Sequence, residues 1–94
     1  MLYYCEYTYV PGTTAQAVRQ RFVQQHEAGA HHQDKWRGWY NLTGGGAGFV
    51  IIETDDPREV TSILTPYMDL ISWNVRAIYE NDYNTALAAY RQSS

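Results

Sequence analysis

Apolar residues alternate with polar ones, or recur with helical spacing, in seven successive segments of the chain. Four segments rich in Tyr, Thr, Val, Ile or Trp predict β-strands at residues 2–10, 35–43, 49–54 and 70–79. Three segments with apolar residues three or four positions apart predict helices at residues 13–28, 57–67 and 83–91. The order βαββαβ plus a short C-terminal helix predicts a ferredoxin-like α+β fold, in which a four-stranded antiparallel sheet carries the first two helices on one face.

Short motifs mark the expected helix ends. Thr13 and Gln16 have the spacing of a capping box, and Gly29 is a suitable stop for the first helix. The run Asp55-Asp56-Pro57 is expected to cap the second helix, with its proline in the first turn. No linker, repeat or low-complexity stretch interrupts these elements, so residues 1–94 are expected to form one domain.

Strand alternation assigns each residue of the sheet to one of two faces. The face under the helices is expected to hold Tyr3, Cys5, Tyr7, Val50, Ile52, Ile71, Trp73, Val75 and Ala77. The opposite face is expected to hold Tyr4, Glu6, Thr8, Arg37, Trp39, Asn41, Phe49, Ile51, Glu53, Ser72, Asn74 and Arg76. In the second strand the other register is equally open, with Trp36, Tyr40 and Leu42 under the helices.

Composition narrows the class of protein. The 94 residues include nine Tyr and three Trp, more than a small core needs, so some of them are expected at an interface or a pocket. A hydrophobic fraction of 45% and a formal net charge of −3 argue against a disordered chain and against a basic nucleic-acid binder. The single Cys5 is expected to be a small buried hydrophobe, and the sequence shows no signal peptide or membrane span, which favours the cytoplasm.

The sheet face away from the helices is too apolar to be left in water. Tyr4, Trp39, Phe49 and Ile51 would give it a contiguous apolar patch, and such patches mark contact surfaces. A second copy of the chain is the simplest cover. A homodimer is therefore expected.

Several short motifs along almost the whole chain are those of a known family. They are Arg21-Phe22, Gly29, Trp39, Glu53-Thr54-Asp55-Asp56-Pro57, Asp69-Leu70 and the Trp73 to Val75 stretch. With them the sequence resembles the small bacterial proteins of unknown function called DUF3303, within the dimeric α/β-barrel superfamily. The resemblance implies a homodimer whose two sheets face each other around a barrel-like cavity. It carries no agreed activity, although the superfamily includes cofactor-free oxygenases, lactone isomerases and haem-handling proteins. Asn74 stands where the family pattern has an acid.

Two carboxylates are the candidate catalytic groups. Glu6 and Glu53 are expected on neighbouring strands of the uncovered face, where desolvation and mutual repulsion would raise at least one pKa and allow general acid–base chemistry or a shared proton. Arg37 or Arg76 would neutralise them. The alternative is a structural network in which Glu6, Glu53 and Arg76 fix the register of the dimer.

The same face supplies the candidate ligand contacts. Tyr4, Trp39, Phe49, Asn74 and Arg76 are expected to bind a small, aromatic or partly apolar molecule between the two sheets, with Arg76 as an anion clamp. The catalytic hypothesis is a cofactor-independent oxygenase or isomerase, and no cofactor is expected. The alternative is an interaction module in which the filled sheet face serves only dimerisation.

Three histidines form a further cluster near the end of the first helix. His26, His31 and His32, with Glu27 and Asp34, would suit zinc, nickel or copper if they converged, which would make a metal-sensing or haem-binding module. Their spacing matches no metal signature. A solvated loop with one histidine at the core edge is the alternative, and no metal is expected.

Two stretches of the sequence partly match patterns for binding phosphate groups or RNA. The glycine-rich run at residues 43–48 lies between two strands rather than between a strand and a helix, so a hairpin turn is favoured over a phosphate cradle. Residues 45–52 retain only one aromatic of the RNA-recognition pattern, and the chain has no basic stripe. No nucleic-acid partner and no membrane partner are expected.

Overall fold

A four-stranded antiparallel sheet with two helices packed on one face is the frame of the protein. The computed structural model describes residues 1–93. The strands are β1 Leu2–Tyr9, β2 Trp36–Asn41, β3 Ala47–Glu53 and β4 Ile71–Ile78, and the helices are α1 Ala15–Glu27, α2 Pro57–Leu64 and α3 Tyr83–Ser93. The strands lie in the order β2-β3-β1-β4 and every neighbouring pair is antiparallel. The predicted ferredoxin-like α+β fold is confirmed.

The helix starts follow the predicted chemistry with one shift. The N-cap of α1 is Thr14, whose hydroxyl accepts the Ala17 N–H at 3.1 Å, and not Thr13 as predicted. The Thr13 hydroxyl instead donates to the Leu70 carbonyl at 2.9 Å and so ties the start of α1 to the start of β4. In α2 the Asp56 carboxylate accepts the Arg58 N–H, as the Asp-Asp-Pro motif predicts.

The registers of β1, β3 and β4 confirm the two predicted faces for these strands. Tyr4 lies between Ile51 and Arg76, and Glu6 lies between Phe49 and Asn74. These residues share the side of the sheet that carries no helix, which is called the sheet face below. The alternate positions are on the helix side of the sheet.

The predicted faces of β2 are wrong because the strand contains a β-bulge. Trp36 pairs with Ile52 but Gly38 pairs with Ile51, so one extra residue, Arg37, is inserted. Trp39 and Asn41, which were expected on the sheet face, therefore lie on the helix side, opposite Val50 and Gly48. Tyr40 occupies the sheet face opposite Phe49. Neither simple alternation of β2 is right, because the bulge reverses the facing of every residue after it.

The main core lies between α2 and the centre of the sheet. Its buried members are Cys5, Val50, Ile52, Val60, Ile63 and Leu64, and a second cluster holds Tyr7, Tyr67 and Ile71. Burial raises the pKa of the Cys5 thiol to about 11, as expected of a cysteine that serves as a hydrophobe. Val75 and Ala77, expected under the helices, are exposed because α2 is short and packs over the central strands.

Two helices add little to this core. Neither α1 nor α3 contributes a buried residue to the part of the chain that the structure describes. The stability of the domain therefore depends on how α2 packs on the sheet.

Among residues 1–93 no helix has the length and hydropathy needed to cross a bilayer.

Truncating Ile63 should show the dependence of stability on α2. Ile63 is 2% exposed, and Ile63→Ala should lower the free energy of unfolding by about 2 to 5 kcal/mol, since it leaves a cavity under α2. Thr61→Ala, on the exposed side of the same helix, is the matched control and should change it by less than about 0.5 kcal/mol. Urea unfolding followed by circular dichroism measures both, and equal losses would contradict this account of the core.

Candidate functional site

A cavity of about 710 Å³ lies between α1 and the helix side of the sheet. Its walls are mostly aromatic and aliphatic side chains from β1, β2, β4 and α1, including Tyr7, Val18, Phe22, Trp36, Trp39 and Trp73. This size is within the range of small-molecule sites in proteins. The cavity is on the opposite side of the sheet from the face where the sequence predicts the ligand.

The cavity is present because α1 is anchored at points rather than packed along its length. The Arg21 guanidinium forms a bidentate ion pair with Asp69, with distances of 2.7 and 2.9 Å, and also donates to the Pro66 carbonyl. This pairing holds the pKa of Asp69 below its ordinary value. Phe22 stacks on Trp39 with ring centroids 5.2 Å apart. These contacts hold the middle of α1, and Val18, Phe22 and Val23 of the same helix line the open space beside it.

The aromatic residues around Phe22 form a rigid end wall. His31 lies 4.5 Å from the Phe22 ring, and Trp36 meets Trp39 edge to face at 5.7 Å. Such pairs add to the stabilisation that burial of the rings gives. Because the β2 bulge places both tryptophans on the helix side, bulky rings stand between the sheet and α1.

One polar group on the cavity wall lacks a partner. The indole N–H of Trp73 is buried and has no hydrogen-bond acceptor among residues 1–93. The indole of Trp36, by contrast, donates to the His31 carbonyl at 2.8 Å. A buried donor without an acceptor is costly, and an acceptor on a bound molecule would satisfy it only if the indole turned its N–H into the cavity. The neighbouring Tyr7 hydroxyl already donates to the Asn41 side chain.

His31 is the one histidine that enters the core, and it is not available to a metal. Its Nε2 lies 2.6 Å from the Tyr67 hydroxyl, in a buried contact. Desolvation, with a smaller effect of His26, lowers the pKa of His31, and burial raises the pKa of Tyr67 to about 12, so both groups are neutral at pH 7. His26 and His32 are exposed. Within residues 1–93 no three His, Cys, Asp or Glu side chains form a group that could hold a metal ion, so the postulated convergence does not occur.

The sheet face carries the other predicted ligand contacts. Tyr4 packs against Phe49 at 4.9 Å, and Tyr40 stacks on the other side of Phe49 at 5.1 Å. Asn74 and Arg76 are exposed on the same face. The ligand-binding roles of Tyr4, Phe49, Asn74 and Arg76 stay predictions, whereas Trp39 lies in the wall of the cavity on the helix side.

The two candidate catalytic carboxylates are far apart within one chain. Glu6 pairs with Phe49 and Glu53 pairs with Leu2, which separates them by four residues along the strands, or roughly 13 Å. Glu53 forms an ion pair with Arg37 at 2.7 Å, and both side chains are about half exposed. The prediction that Glu6 and Glu53 share a proton directly is therefore wrong within a single chain. Separate catalytic roles for them stay predictions.

The glycine-rich run forms the predicted hairpin turn and borders the cavity. Gly44, Gly45 and Gly46 all have positive φ, a conformation that other residues rarely adopt. The next glycine, Gly48, is needed for a different reason. A Cβ there would lie 2.7 Å from the Tyr7 hydroxyl and even closer to the Tyr40 carbonyl. The run is therefore structural, and it contributes backbone to the rim of the cavity.

Of the predicted ligand contacts only Trp39 lines the cavity, and the sequence does not identify the two residues that give the cavity its polar chemistry. The pattern places Trp73 on the helix side, but nothing in it indicates that the Trp73 N–H lacks a partner. Arg19 also lines the cavity, and here a signal exists. It lies four residues after Ala15 and three before Phe22, so a charged residue interrupts the apolar stripe of α1.

The fold and the cavity define a small ferredoxin-like α+β protein with an apolar pocket beneath its first helix. The chain belongs to the family described as domain of unknown function DUF3303, whose model matches residues 1–91. No curated protein matches the sequence. Among solved structures, that of muconolactone isomerase is similar, with 16% sequence identity and a TM-score of 0.59, and the match covers 88% of this chain and 93% of the other. This similarity shows the fold.

The buried His31 should make stability depend on pH. Its pKa is below the unfolded value of about 6.5, so at lower pH the unfolded chain binds a proton that the folded chain does not. The free energy of unfolding should therefore fall between about pH 7.5 and about pH 5, with a contribution of at most about 1.4 kcal/mol per pH unit from this group.

The comparison of two histidine variants assigns the effect. His31→Gln should reduce the slope of unfolding free energy against pH. His32→Asn is the control, because His32 is exposed at a positive φ that asparagine tolerates, and it should keep the slope. Urea unfolding across this pH range provides the measurement, and an unchanged slope in His31→Gln would show that other groups are responsible.

Proposed function

We propose that this protein binds a small, largely apolar organic molecule in the cavity between α1 and the sheet. The observation that carries the proposal is an aromatic cavity of about 710 Å³ with a buried, unpartnered Trp73 N–H in its wall. A ligand with an acceptor oxygen would satisfy this donor once the indole turned it into the cavity, while the apolar part of the ligand would displace water from the rings.

A matched pair of neutral compounds tests both parts of this proposal. Benzophenone and diphenylmethane have the same two rings, but only benzophenone has a carbonyl oxygen. Both compounds should bind to the unaltered protein, and benzophenone should bind more tightly than diphenylmethane. In Trp73→Phe this preference for benzophenone should be about two- to tenfold smaller, because one hydrogen bond is lost. Titration calorimetry or quenching of tryptophan fluorescence measures the four constants.

Two further variants locate the binding. Val18→Trp introduces a large ring on the cavity side of α1 and should weaken both compounds at least tenfold by filling the space. Gln20→Trp adds the same ring at an exposed position of α1 that does not line the cavity, and should leave both affinities unchanged. If neither compound binds the unaltered protein, or if Val18→Trp has no effect, the proposal is wrong.

The sheet face is proposed as the contact surface of a homodimer. A continuous aromatic cluster on this face consists of Tyr4, Tyr40 and Phe49. Ile51 lies beside it, opposite Tyr4 on the neighbouring strand, and Tyr40 is 59% exposed. Aromatic clusters of this kind are typical of interface centres. In such a dimer, Glu6 and Arg76 would be covered at the contact and the cavities under α1 would remain outside it.

A charge at the centre of the sheet face should separate the subunits. Ile51→Glu would bury an unpaired carboxylate in the dimer, so the variant should become monomeric at concentrations where the unaltered protein is dimeric. Met68→Glu, at an exposed residue outside the sheet, is the control and should remain dimeric. Light scattering after size-exclusion chromatography gives the masses. A monomeric unaltered protein would contradict the dimer and leave the cavity proposal intact.

Catalysis by Glu6 and Glu53 is a separate hypothesis. Neither carboxylate lines the cavity under α1, so a reaction that used them would occur at the sheet face, between two copies of the chain. The alternative of an interaction module without turnover makes the same sheet face a dimer contact only. Replacing each carboxylate by the corresponding amide would distinguish these hypotheses once a turnover assay exists.

A further inference from the structure

The electrostatic character of the cavity is set by a single residue. Of the side chains that line it, only Arg19 carries a charge, and no carboxylate of residues 1–93 is among them. An apolar cavity with one cation and no anion favours a ligand that brings a negative charge of its own. The overall charge of −3 has the opposite sign, so any such preference is local to this site.

Arg19 differs from Arg21, Arg37 and Arg58 in having no hydrogen-bond or ion-pair partner among residues 1–93. Arg21 is held by Asp69, Arg37 by Glu53 and Arg58 by Asp56. The Arg19 guanidinium forms no hydrogen bond or ion pair within residues 1–93. Its planar array of donors, suited to a carboxylate, is therefore unoccupied at the open side of the cavity.

Arg19 is exposed and lies at the edge of the cavity. It is on the same side of α1 as Ala15 and Phe22, four residues before it and three after it, and both of these line the cavity as well. The charged end of a ligand would remain near water at Arg19, where a carboxylate keeps much of its hydration. Its apolar part would lie against the rings of Trp39 and Trp73. A molecule with a charged end and an apolar part therefore matches the charged edge and the apolar walls of the cavity.

We infer that the cavity selects small aromatic or otherwise apolar carboxylic acids in their ionised form, with the carboxylate held by Arg19 and the apolar part enclosed between α1 and the sheet. This inference rests on the proposed binding function and names the class of ligand. It assigns Arg19 as the residue that sets specificity for the anion.

A carboxylate and its ester provide the test. Para-benzoylbenzoate and its methyl ester share one apolar skeleton and one ketone, but only the acid is charged at neutral pH. In the unaltered protein the acid should bind about three- to tenfold more tightly than the ester, because it gains a charge-assisted contact that is partly screened by solvent. This preference should decrease as the salt concentration is raised.

Charge-removing variants identify the residue. Arg19→Gln should abolish the preference for the acid and leave the affinity of the ester unchanged. Arg58→Gln removes the same charge from an exposed residue of α2 that is outside the cavity, and should preserve the preference. Thermal melting of both variants checks that α1 and α2 remain folded.

The outcomes distinguish failure of this inference from failure of the proposed binding function. Equal affinities for acid and ester in the unaltered protein would overturn the inference and leave the binding function standing. Loss of the preference in Arg76→Gln rather than in Arg19→Gln would also overturn it and would place the anion on the sheet face. If neither compound binds, both the inference and the binding function are wrong.

Discussion

The β-bulge at Arg37 and Gly38 determines what lies on each side of the sheet. By inserting one residue, it directs both Trp36 and Trp39 to the helix side and leaves Tyr40 on the sheet face. Both tryptophans then contact Phe22 in the middle of α1, so that their rings lie between this helix and the strands. The open space under α1 and the aromatic cluster around Phe49 both follow from this local irregularity.

The distribution of packing explains how the domain remains stable with a cavity of this size. The buried aliphatic residues of α2 pack against the central strands, while α1 is attached through an ion pair and a few ring contacts. Although α1 contributes no fully buried residue, its Val18 packs against the cluster of Tyr7, Tyr67 and Ile71. The core and the cavity also share residues, since Val50, Ile63 and Leu64 belong to the main core and line the cavity as well.

The two proposed contact surfaces use opposite sides of one sheet, and their chemistry differs. The sheet face is rich in aromatic rings but also carries charges, such as the ion pair of Arg37 and Glu53. The cavity has one cation, a buried N–H donor and otherwise mostly apolar walls. A dimer formed through the sheet face would leave both cavities accessible, so association and ligand binding can be altered independently.

Local periodicity and caps such as Asp56 are sufficient to predict the order of the elements, the fold and the faces of β1, β3 and β4. The sequence also contained the charged interruption at Arg19. The tertiary structure alone decided the facing of Trp39, since a bulge depends on how β2 pairs with β3 and leaves no mark in alternation. It also decided the separation of Glu6 from Glu53 and the missing partner of Trp73, because distances and hydrogen bonds between segments arise only when those segments pack together.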